Sequence, residues 1–202
     1  MNPEPRTPTP LDEPAMLAEL AGAHEAERGA PPPDEVLRGI GAIVAVENAH
    51  GRALNNHNWG NLMAGPEWRE TRPHWPGTTR DPNQPTFFRS YPSHRAGARA
   101  LWELLYRRYP AVIAAAASGH GTRIATALYT EQPQPDGARG FRFVSPRRAS
   151  EPREYAAALE DIATRYRREG VTAGRPTDAW TAALATIIGA SAAGLAAWKG
   201  AA

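Results

Sequence analysis

Apolar side chains recur at helical spacing through most of this 202-residue chain. Residues three and four positions apart lie on one face of a helix, so this spacing predicts helices that each bury one face in a core. The helices predicted in this way cover about residues 16–28, 35–47, 98–109, 110–118, 121–130 and 152–168. A chain with this pattern is expected to form a mainly α-helical domain.

The second predicted helix combines a marked start with an unusual end. Asp34 follows a run of three prolines and is predicted to be the N-cap of this helix. Glu35 would then lie in the first turn, where a negative charge interacts favourably with the helix dipole. The apolar face of the helix ends at Glu47, so the pattern places a carboxylate in line with the buried stripe.

Residues 48–93 follow a different pattern, in which Gly, Pro and Asn recur. The strand-like runs in this segment are short and lie near residues 61–63 and 86–91. This composition favours turns over long regular elements. We therefore expect a small loop-rich lobe, with one hairpin, beside the helical domain.

The two ends of the chain differ from its middle. Residues 1–14 are Pro-rich and acidic, and they predict an extended arm because they have too few apolar side chains to fold alone. We divide the remainder into a short helix and linker at 15–33, a main domain at 34–170 and a second linker at 171–178. Residues 179–198 carry no charged side chain and predict a separate hydrophobic helix.

As a helix, residues 179–198 would be about 30 Å long, the thickness of the hydrocarbon core of a bilayer. Trp180 and Trp198 stand near its two ends, where aromatic side chains are enriched at membrane interfaces. Alanine dominates the segment, which leaves two interpretations open. The helix either inserts into a membrane or packs within the protein or against another copy.

Composition and charge narrow the function classes. The chain has no cysteine, which excludes disulfides, thiolate zinc sites and cysteine nucleophiles. The six histidines show no metal-ligand spacing and no Gly-rich phosphate loop occurs, so no metal or cofactor is expected. Residues 1–35 carry a formal charge of −6 and the rest carries +8, mostly from arginine. A cationic body suits an anionic polymer such as cell wall or nucleic acid.

The stretch that carries candidate chemistry is 43–62. Glycoside cleavage needs a carboxylic acid that stays protonated near neutral pH, and apolar surroundings favour the protonated form. Glu47 is the best candidate for this acid, because apolar residues of its own helix precede it.

The loop after Glu47 offers groups that suit a sugar. Asn55, Asn56 and Asn58 could exchange hydrogen bonds with N-acetyl and hydroxyl groups, and Trp59 could stack its flat ring on a pyranose. From spacing alone, a second interpretation stays open: Glu47 as a helix-terminal charge and the asparagines as turn formers.

Three motifs resemble the flagellar and autolysin-type glucosaminidases of the lysozyme-like superfamily, glycoside hydrolase family 73. The first is the helix-terminal Glu47 followed by the paired asparagines within 54–62. The second is Phe-Arg-Ser-Tyr-Pro-Ser at 88–93, which precedes a helix as it does in that family. The third is the helix that begins Tyr155-Ala156. The motifs occur in the family's order over about 34–168.

The resemblance implies a lysozyme-like helical domain that cleaves the glycan strands of peptidoglycan. It implies that Glu47 is the general acid, that Tyr155 lines the cleft opposite it, and that Asn56 belongs to the paired-asparagine motif. The chain also departs from the pattern, since Glu47 and Asn55 are only eight positions apart and Gly-Asn-Leu replaces the usual end of the motif. These differences bring it closer to the wall-lytic domains of bacteriophages.

The identity of a second carboxylate decides the mechanism. Hydrolysis with inversion needs a base about 6.5–9.5 Å from the acid, and retention needs a nucleophile at about 5–5.5 Å. Glu70 is the preferred candidate, because its segment resembles the flexible hairpin of the family. Without a second carboxylate, Glu47 alone would serve a lytic transglycosylase. A catalytically inactive wall-binding protein of a particle is a further alternative.

The sequence also predicts how such an activity would reach its substrate. Residues 1–14 lack both the basic start and the apolar core of a secretory signal. We therefore expect delivery by a bacteriophage particle or a similar machine, with action in the periplasm or cell wall. The arm at 1–14 would bind neighbouring particle proteins and the helix at 179–198 would contact the membrane. No specific nucleic-acid partner is expected.

Overall fold

The computed structural model describes residues 2–77, 86–131, 143 and 150–173. Within these ranges the chain forms seven helices and one two-stranded sheet. The elements are α1 (Glu13–Arg28), α2 (Asp34–Glu47), α3 (Pro66–Thr71), β1 (His74–Pro76), β2 (Phe87–Arg89), α4 (His94–Arg108), α5 (Pro110–Ala117), α6 (Gly121–Tyr129) and α7 (Glu151–Arg168). The predicted mainly helical architecture with a small lobe is confirmed.

Helix α2 lies at the centre of the core and packs against α1, α5 and α7. Its Leu37 and Ile40 side chains are completely buried, as the apolar spacing predicts. A Cβ added at Gly39 would lie 2.8 Å from the Cβ of Ala116 on α5. The glycine therefore lets the backbone of α2 approach α5 closely, and it brings the end of α2 into contact with the rest of the core.

Helix α1 belongs to the same core, because Met16 and Leu20 are completely buried. The Nε1 atom of Trp102 on α4 donates a hydrogen bond to the Leu20 carbonyl at 2.9 Å. Asp12 caps the helix by accepting a hydrogen bond from the Ala15 amide at 2.8 Å. The core thus includes residues on both sides of the boundary predicted between 33 and 34.

The predicted N-cap of α2 is wrong by one position. Pro33 occupies the N-cap, where it makes no side-chain capping bond, and Asp34 is the first helical residue. The carboxylate of Asp34 instead accepts a hydrogen bond from the Ala173 amide at 2.8 Å. Its charge still lies in the first turn, where it interacts favourably with the helix dipole. The bond to Ala173 connects the segment that follows α7 to the start of α2.

The small lobe contains one antiparallel hairpin, in which Trp75 of β1 is opposite Phe88 of β2. Their rings stack at 4.8 Å between centroids. The run near 61–63 contributes only a single bridge between Met63 and Phe88. Helix α3 and strand β1 were not predicted from the sequence.

Residues 2–12 run as an extended segment over the domain's own surface. The Glu4 amide donates to the His74 carbonyl at 2.7 Å, and the Thr9 amide donates to the Leu54 carbonyl at 2.9 Å. This segment therefore joins the small lobe to the start of α1. The predicted helix at 179–198 lies outside the described residues, among which no helix is long and apolar enough to cross a membrane.

Candidate active site

The end of helix α2 positions Glu47 at the edge of the apolar core. Asn48 forms the C-cap, and its amide donates to the Val44 carbonyl. Ala49 and His50 then adopt left-handed backbone conformations with φ of 47° and 58°. The chain turns away directly after Glu47, so this partly exposed carboxylate lies between the core and the surface.

Tyr155 on α7 is the partner of Glu47. Its Oη atom donates a hydrogen bond to Glu47 Oε1 at 2.7 Å, across 108 positions of sequence. Burial raises the pKa of the Tyr155 hydroxyl, and the negative charge of Glu47 raises it further. The hydroxyl therefore stays protonated at neutral pH and can donate to Glu47. The structure thus brings together the two residues that the resemblance places on opposite sides of a cleft.

Tyr129 and Glu151 complete this cluster, and neither was singled out from the sequence. The Tyr129 ring meets the Tyr155 ring edge to face, with 5.8 Å between centroids. Its buried hydroxyl makes no hydrogen bond within the described residues. Burial raises the pKa of Tyr129, and the carboxylates of Glu151 and Glu47 raise it further, so both acids act on this hydroxyl. Glu151 precedes Tyr155 by four positions and shares its helix face, a spacing that could have revealed it.

Asn58 and Trp59 have structural roles. Asn58 is 1% exposed. Its amide donates to the Leu62 and Arg89 carbonyls, both at 3.0 Å, and its Oδ1 accepts from the Leu62 amide. Trp59 is completely buried, so its ring offers no face to a sugar. The expected sugar contacts of both residues do not fit this placement, because the loop folds inward onto α4.

The paired asparagines contact the N-terminal arm. Asn56 is 8% exposed. Its Oδ1 accepts from the Thr7 amide at 2.8 Å, and its Nδ2 donates to the Pro5 carbonyl at 3.1 Å. Asn55 Oδ1 accepts from Arg6 Nε at 3.0 Å. In this conformation the arm uses the amide groups that the sequence assigned to the substrate.

Glu70, the preferred second carboxylate from the sequence, lies at an exposed position of α3 in the small lobe. Glu47 instead accepts its hydrogen bond from Tyr155 on α7, in the helical part of the domain. Within the part of the chain that the structure describes, no group of three or more metal-ligating side chains comes together.

A groove of about 900 Å³ lies between the arm, the loop that follows Glu47 and helix α7. Its lining includes Leu11 from the arm and Arg52 from the loop, while Asp161 and Ile162 come from α7. Ala158 and Ile162 follow Tyr155 at helical spacing, so the face of α7 that includes Tyr155 also lines this groove. The lining includes neither Glu47 nor Tyr155, and helix α7 connects the apolar and charged walls of this groove with the candidate acid.

A partly buried ion-pair network around Glu13 lines the groove. Its carboxylate accepts hydrogen bonds from Arg165 Nη2 at 2.7 Å and Tyr166 Oη at 2.5 Å, and His50 Nδ1 lies 2.7 Å away. Burial acts to raise the pKa of Glu13, but these bonds prevail and lower it to about 2. Glu13 is therefore charged at neutral pH and ties α1 to α7.

No protein-family model matches the chain, and no curated protein matches its sequence. Among solved structures, a peptidoglycan hydrolase from Sphingomonas sp. A1 aligns with a TM-score of 0.50 at 19% identity, covering 80% of this chain and 97% of that one. The glycoside hydrolase domain of FlgJ from Salmonella typhimurium aligns with a TM-score of 0.49 at 22% identity, covering 79% and 91%. The chain shares the fold of the Sphingomonas hydrolase.

Proposed function

We propose that this chain cleaves the glycan backbone of peptidoglycan, with Glu47 as the general acid. The observation that carries the proposal is the 2.7 Å hydrogen bond from Tyr155 to Glu47 at the end of an apolar helix. A glycosidase needs a carboxyl group of fixed orientation beside a groove that holds a polymer. The shared fold and the sequence motifs support the same assignment.

The hydrogen bond also determines which carboxyl oxygen would act. Tyr155 occupies Oε1 of Glu47, so Oε2 is the atom that carries the proton to the glycosidic oxygen. As that oxygen is protonated, its bond to the anomeric carbon breaks and positive charge develops on the sugar ring. Tyr155 then stabilises the carboxylate that remains, because its hydroxyl stays a donor after the proton has left.

We place the glycan strand in the groove between the arm and α7. Its volume of about 900 Å³ has room for sugar rings, and apolar side chains such as Leu11 and Ile162 suit the faces of those rings. Arg52 is exposed at this groove and would attract the carboxylates of stem peptides. The arm forms one wall, so Asn55 and Asn56 would act on the substrate indirectly by holding the arm.

The second carboxylate has two candidates. Glu70 follows from the sequence, whereas Glu151 lies on the same helix face as Tyr155 and shares the environment of Tyr129 with Glu47. Either one could activate the water that attacks the sugar. In a lytic transglycosylase the muramyl 6-hydroxyl would attack instead, giving its proton to Glu47.

The decisive experiment compares wild type, Glu47→Gln and Glu25→Gln on purified peptidoglycan, with released fragments identified by mass. Glu25 is exposed on α1 and serves as the matched control. We expect fragments from wild type and the control but none from Glu47→Gln. Anhydro-muramyl ends would identify a transglycosylase, whereas reducing N-acetylglucosamine or N-acetylmuramic acid would identify a hydrolase. Equal release by all three proteins would refute the assignment.

Delivery by a bacteriophage particle, and membrane contact through 179–198, stay predictions from the sequence. Residues 2–12 bind the chain's own domain in this conformation, so docking on a neighbouring protein would use the outer face of the arm or require its release. Mass spectrometry of purified bacteriophage particles would test delivery. Absence of this chain from the particles would contradict this part of the proposal.

A further inference from the structure

A second pocket lies on the far side of the small lobe, between α3, β2 and α4. It has a volume of about 200 Å³. Its walls include two aromatic residues and four arginines: Trp68, Arg72, Arg89, Tyr91, Arg107 and Arg108. The proposed cleavage mechanism uses none of these residues.

Trp68 organises the pocket. Its Nε1 atom donates to the Pro73 carbonyl at 2.9 Å, which fixes the plane of the indole ring. The guanidinium carbon of Arg89 lies 4.3 Å from the ring centroid, and that of Arg72 lies 4.7 Å from it. Cation–π contact of this kind holds a guanidinium in place. Arg89 Nε also donates to the Met63 carbonyl at 3.0 Å, so this guanidinium is held by two contacts. Two arginines are therefore positioned before any ligand arrives.

The pocket has an excess of positive charge. Glu103 is the acidic residue in its lining, and its carboxylate lies 3.9 Å from Arg107 Nη1. Four guanidinium groups thus face one carboxylate. Cations that are held this close repel one another, and a bound anion would remove that repulsion. Tyr91 adds a hydroxyl near Arg89, and its ring meets Trp68 edge to face at 5.8 Å.

We propose that this pocket binds a phosphate group carried on a sugar. The planar guanidinium fork matches the spacing of phosphate oxygens, and several forks around one small cavity favour a multiply charged oxyanion over a carboxylate. The cavity equals roughly six or seven water volumes of about 30 Å³ each, which accommodates the phosphate and part of a ring. Because Arg72 and Arg89 cover the indole ring, Tyr91 and Leu104 supply the apolar surface against which a sugar packs.

The shape of the pocket favours a sugar phosphate over a nucleic acid. A single-stranded nucleic acid needs an extended basic track with successive stacking platforms, whereas this pocket is one compact site. A phosphorylated polysaccharide of the cell envelope would be a fitting source, and a free sugar phosphate shares the same chemistry. The inference does not rest on the proposed cleavage activity, because none of these residues contacts Glu47 in the interactions described above.

The test is calorimetric titration of the full chain with glucose 6-phosphate, inorganic phosphate, glucose, acetate and a single-stranded oligonucleotide. The variants are Arg72→Gln and Arg72→Gln/Arg108→Gln for the pocket, Arg123→Gln on exposed α6 as a control that matches the single variant in charge, and Trp68→Leu for the ring that positions Arg72 and Arg89. We expect glucose 6-phosphate to bind most tightly. Its affinity should fall at least tenfold in the double variant, stay unchanged in Arg123→Gln, and fall together with that of inorganic phosphate in Trp68→Leu.

Four results would overturn the proposal. They are absence of phosphate binding, equal binding of acetate, equal loss of affinity in the Arg123→Gln control, and tighter binding of the oligonucleotide through the same arginines. Thermal melts of each variant show whether it folds, and Glu47→Gln should bind glucose 6-phosphate like wild type. Loss of cleavage with retained phosphate binding would therefore separate the two proposals.

A titration of phosphorylated and dephosphorylated cell-envelope polysaccharide then distinguishes the two sources. Retention of the phosphorylated polymer by wild type but not by Arg72→Gln/Arg108→Gln supports a wall ligand. If only the free sugar phosphate binds, the wall polymer is excluded as the source.

Discussion

Replacement of Glu13 by Gln tests how much this partly buried carboxylate contributes to the free energy of unfolding. The Glu13 side chain is 21% exposed and forms ion pairs with Arg165 and His50. Folding lowers its pKa from 4.5 to about 2. A shift of one pKa unit corresponds to about 1.36 kcal/mol, which gives an upper bound of roughly 3 kcal/mol at neutral pH. Because Gln keeps an oxygen that accepts hydrogen bonds, we expect a loss of about 1–3 kcal/mol.

The sign of the pH dependence follows from the lowered pKa. The unfolded chain binds a proton near pH 4.5, whereas the folded chain resists protonation down to about pH 2. The stabilising contribution of Glu13 is therefore complete above pH 4.5 and is lost as the pH falls toward 2. The difference in free energy of unfolding between wild type and Glu13→Gln should be largest at pH 7 and should shrink between pH 4.5 and pH 2.

Urea denaturation at several pH values measures this difference directly, with Glu25→Gln on the exposed face of the same helix as control. Other groups that titrate in this range affect wild type and variant alike and cancel in the difference. A difference that stays constant from pH 7 to pH 3, or a Glu25→Gln variant as unstable as Glu13→Gln, would refute the assignment of this stability to the ion-pair network.

Three further predictions concern the active site and its surroundings. Tyr155→Phe should fold normally but lower kcat on peptidoglycan about 10- to 100-fold, because a hydrogen bond to a charged group contributes about 1.5–3 kcal/mol; unchanged kcat would contradict its role. If either Glu70 or Glu151 is the base, its replacement by Gln should lower kcat about 100-fold or more. Unchanged kcat in both variants would favour the transglycosylase mechanism. Burial and, to a lesser extent, the nearby His57 lower the pKa of His94 from 6.5 to about 4. The unfolded chain therefore gains a proton before the folded chain as the pH falls from 6.5 to 4, which destabilises the fold. In the same urea experiment His94→Asn should lose less stability than wild type over that interval, and an unaltered pH dependence would contradict this role of His94.

The helices could be predicted from sequence because each buries one regularly spaced apolar face. α4 begins at His94 after the Ser93 cap, and α7 begins one residue before its predicted start. Helix α3 has six residues, none of them buried, so it leaves no periodic signal. Strand β1 contributes only three residues to the sheet, which is too few for an alternating pattern to be recognised.

The site was predicted unevenly, because sequence does not reveal what a loop folds against. Glu47 could be singled out as a candidate, since a carboxylate that ends an apolar helix is conspicuous, and its catalytic role stays a prediction. From the sequence, Trp59 was expected to present its ring to a sugar. The ring instead packs in the core beside Gly97 on α4, where a Cβ would lie 2.8 Å from Trp59 Cδ1. The asparagines have separate roles, and Asn56 does adopt the left-handed backbone of a turn former, with φ of 48°.

Helix α7 connects the candidate catalytic group with the network that stabilises the groove. Near its start Tyr155 holds Glu47 of α2, and near its end Arg165 and Tyr166 hold Glu13 of α1. Tyr155 and Tyr166 are eleven positions apart, which is close to three helical turns, so both lie on the face that packs inward. A rigid helix fixed at both ends holds the Tyr155 hydroxyl at one position, as a general acid of fixed orientation requires. Loss of the Glu13 contacts should therefore weaken the alignment of Glu47 as well as the fold.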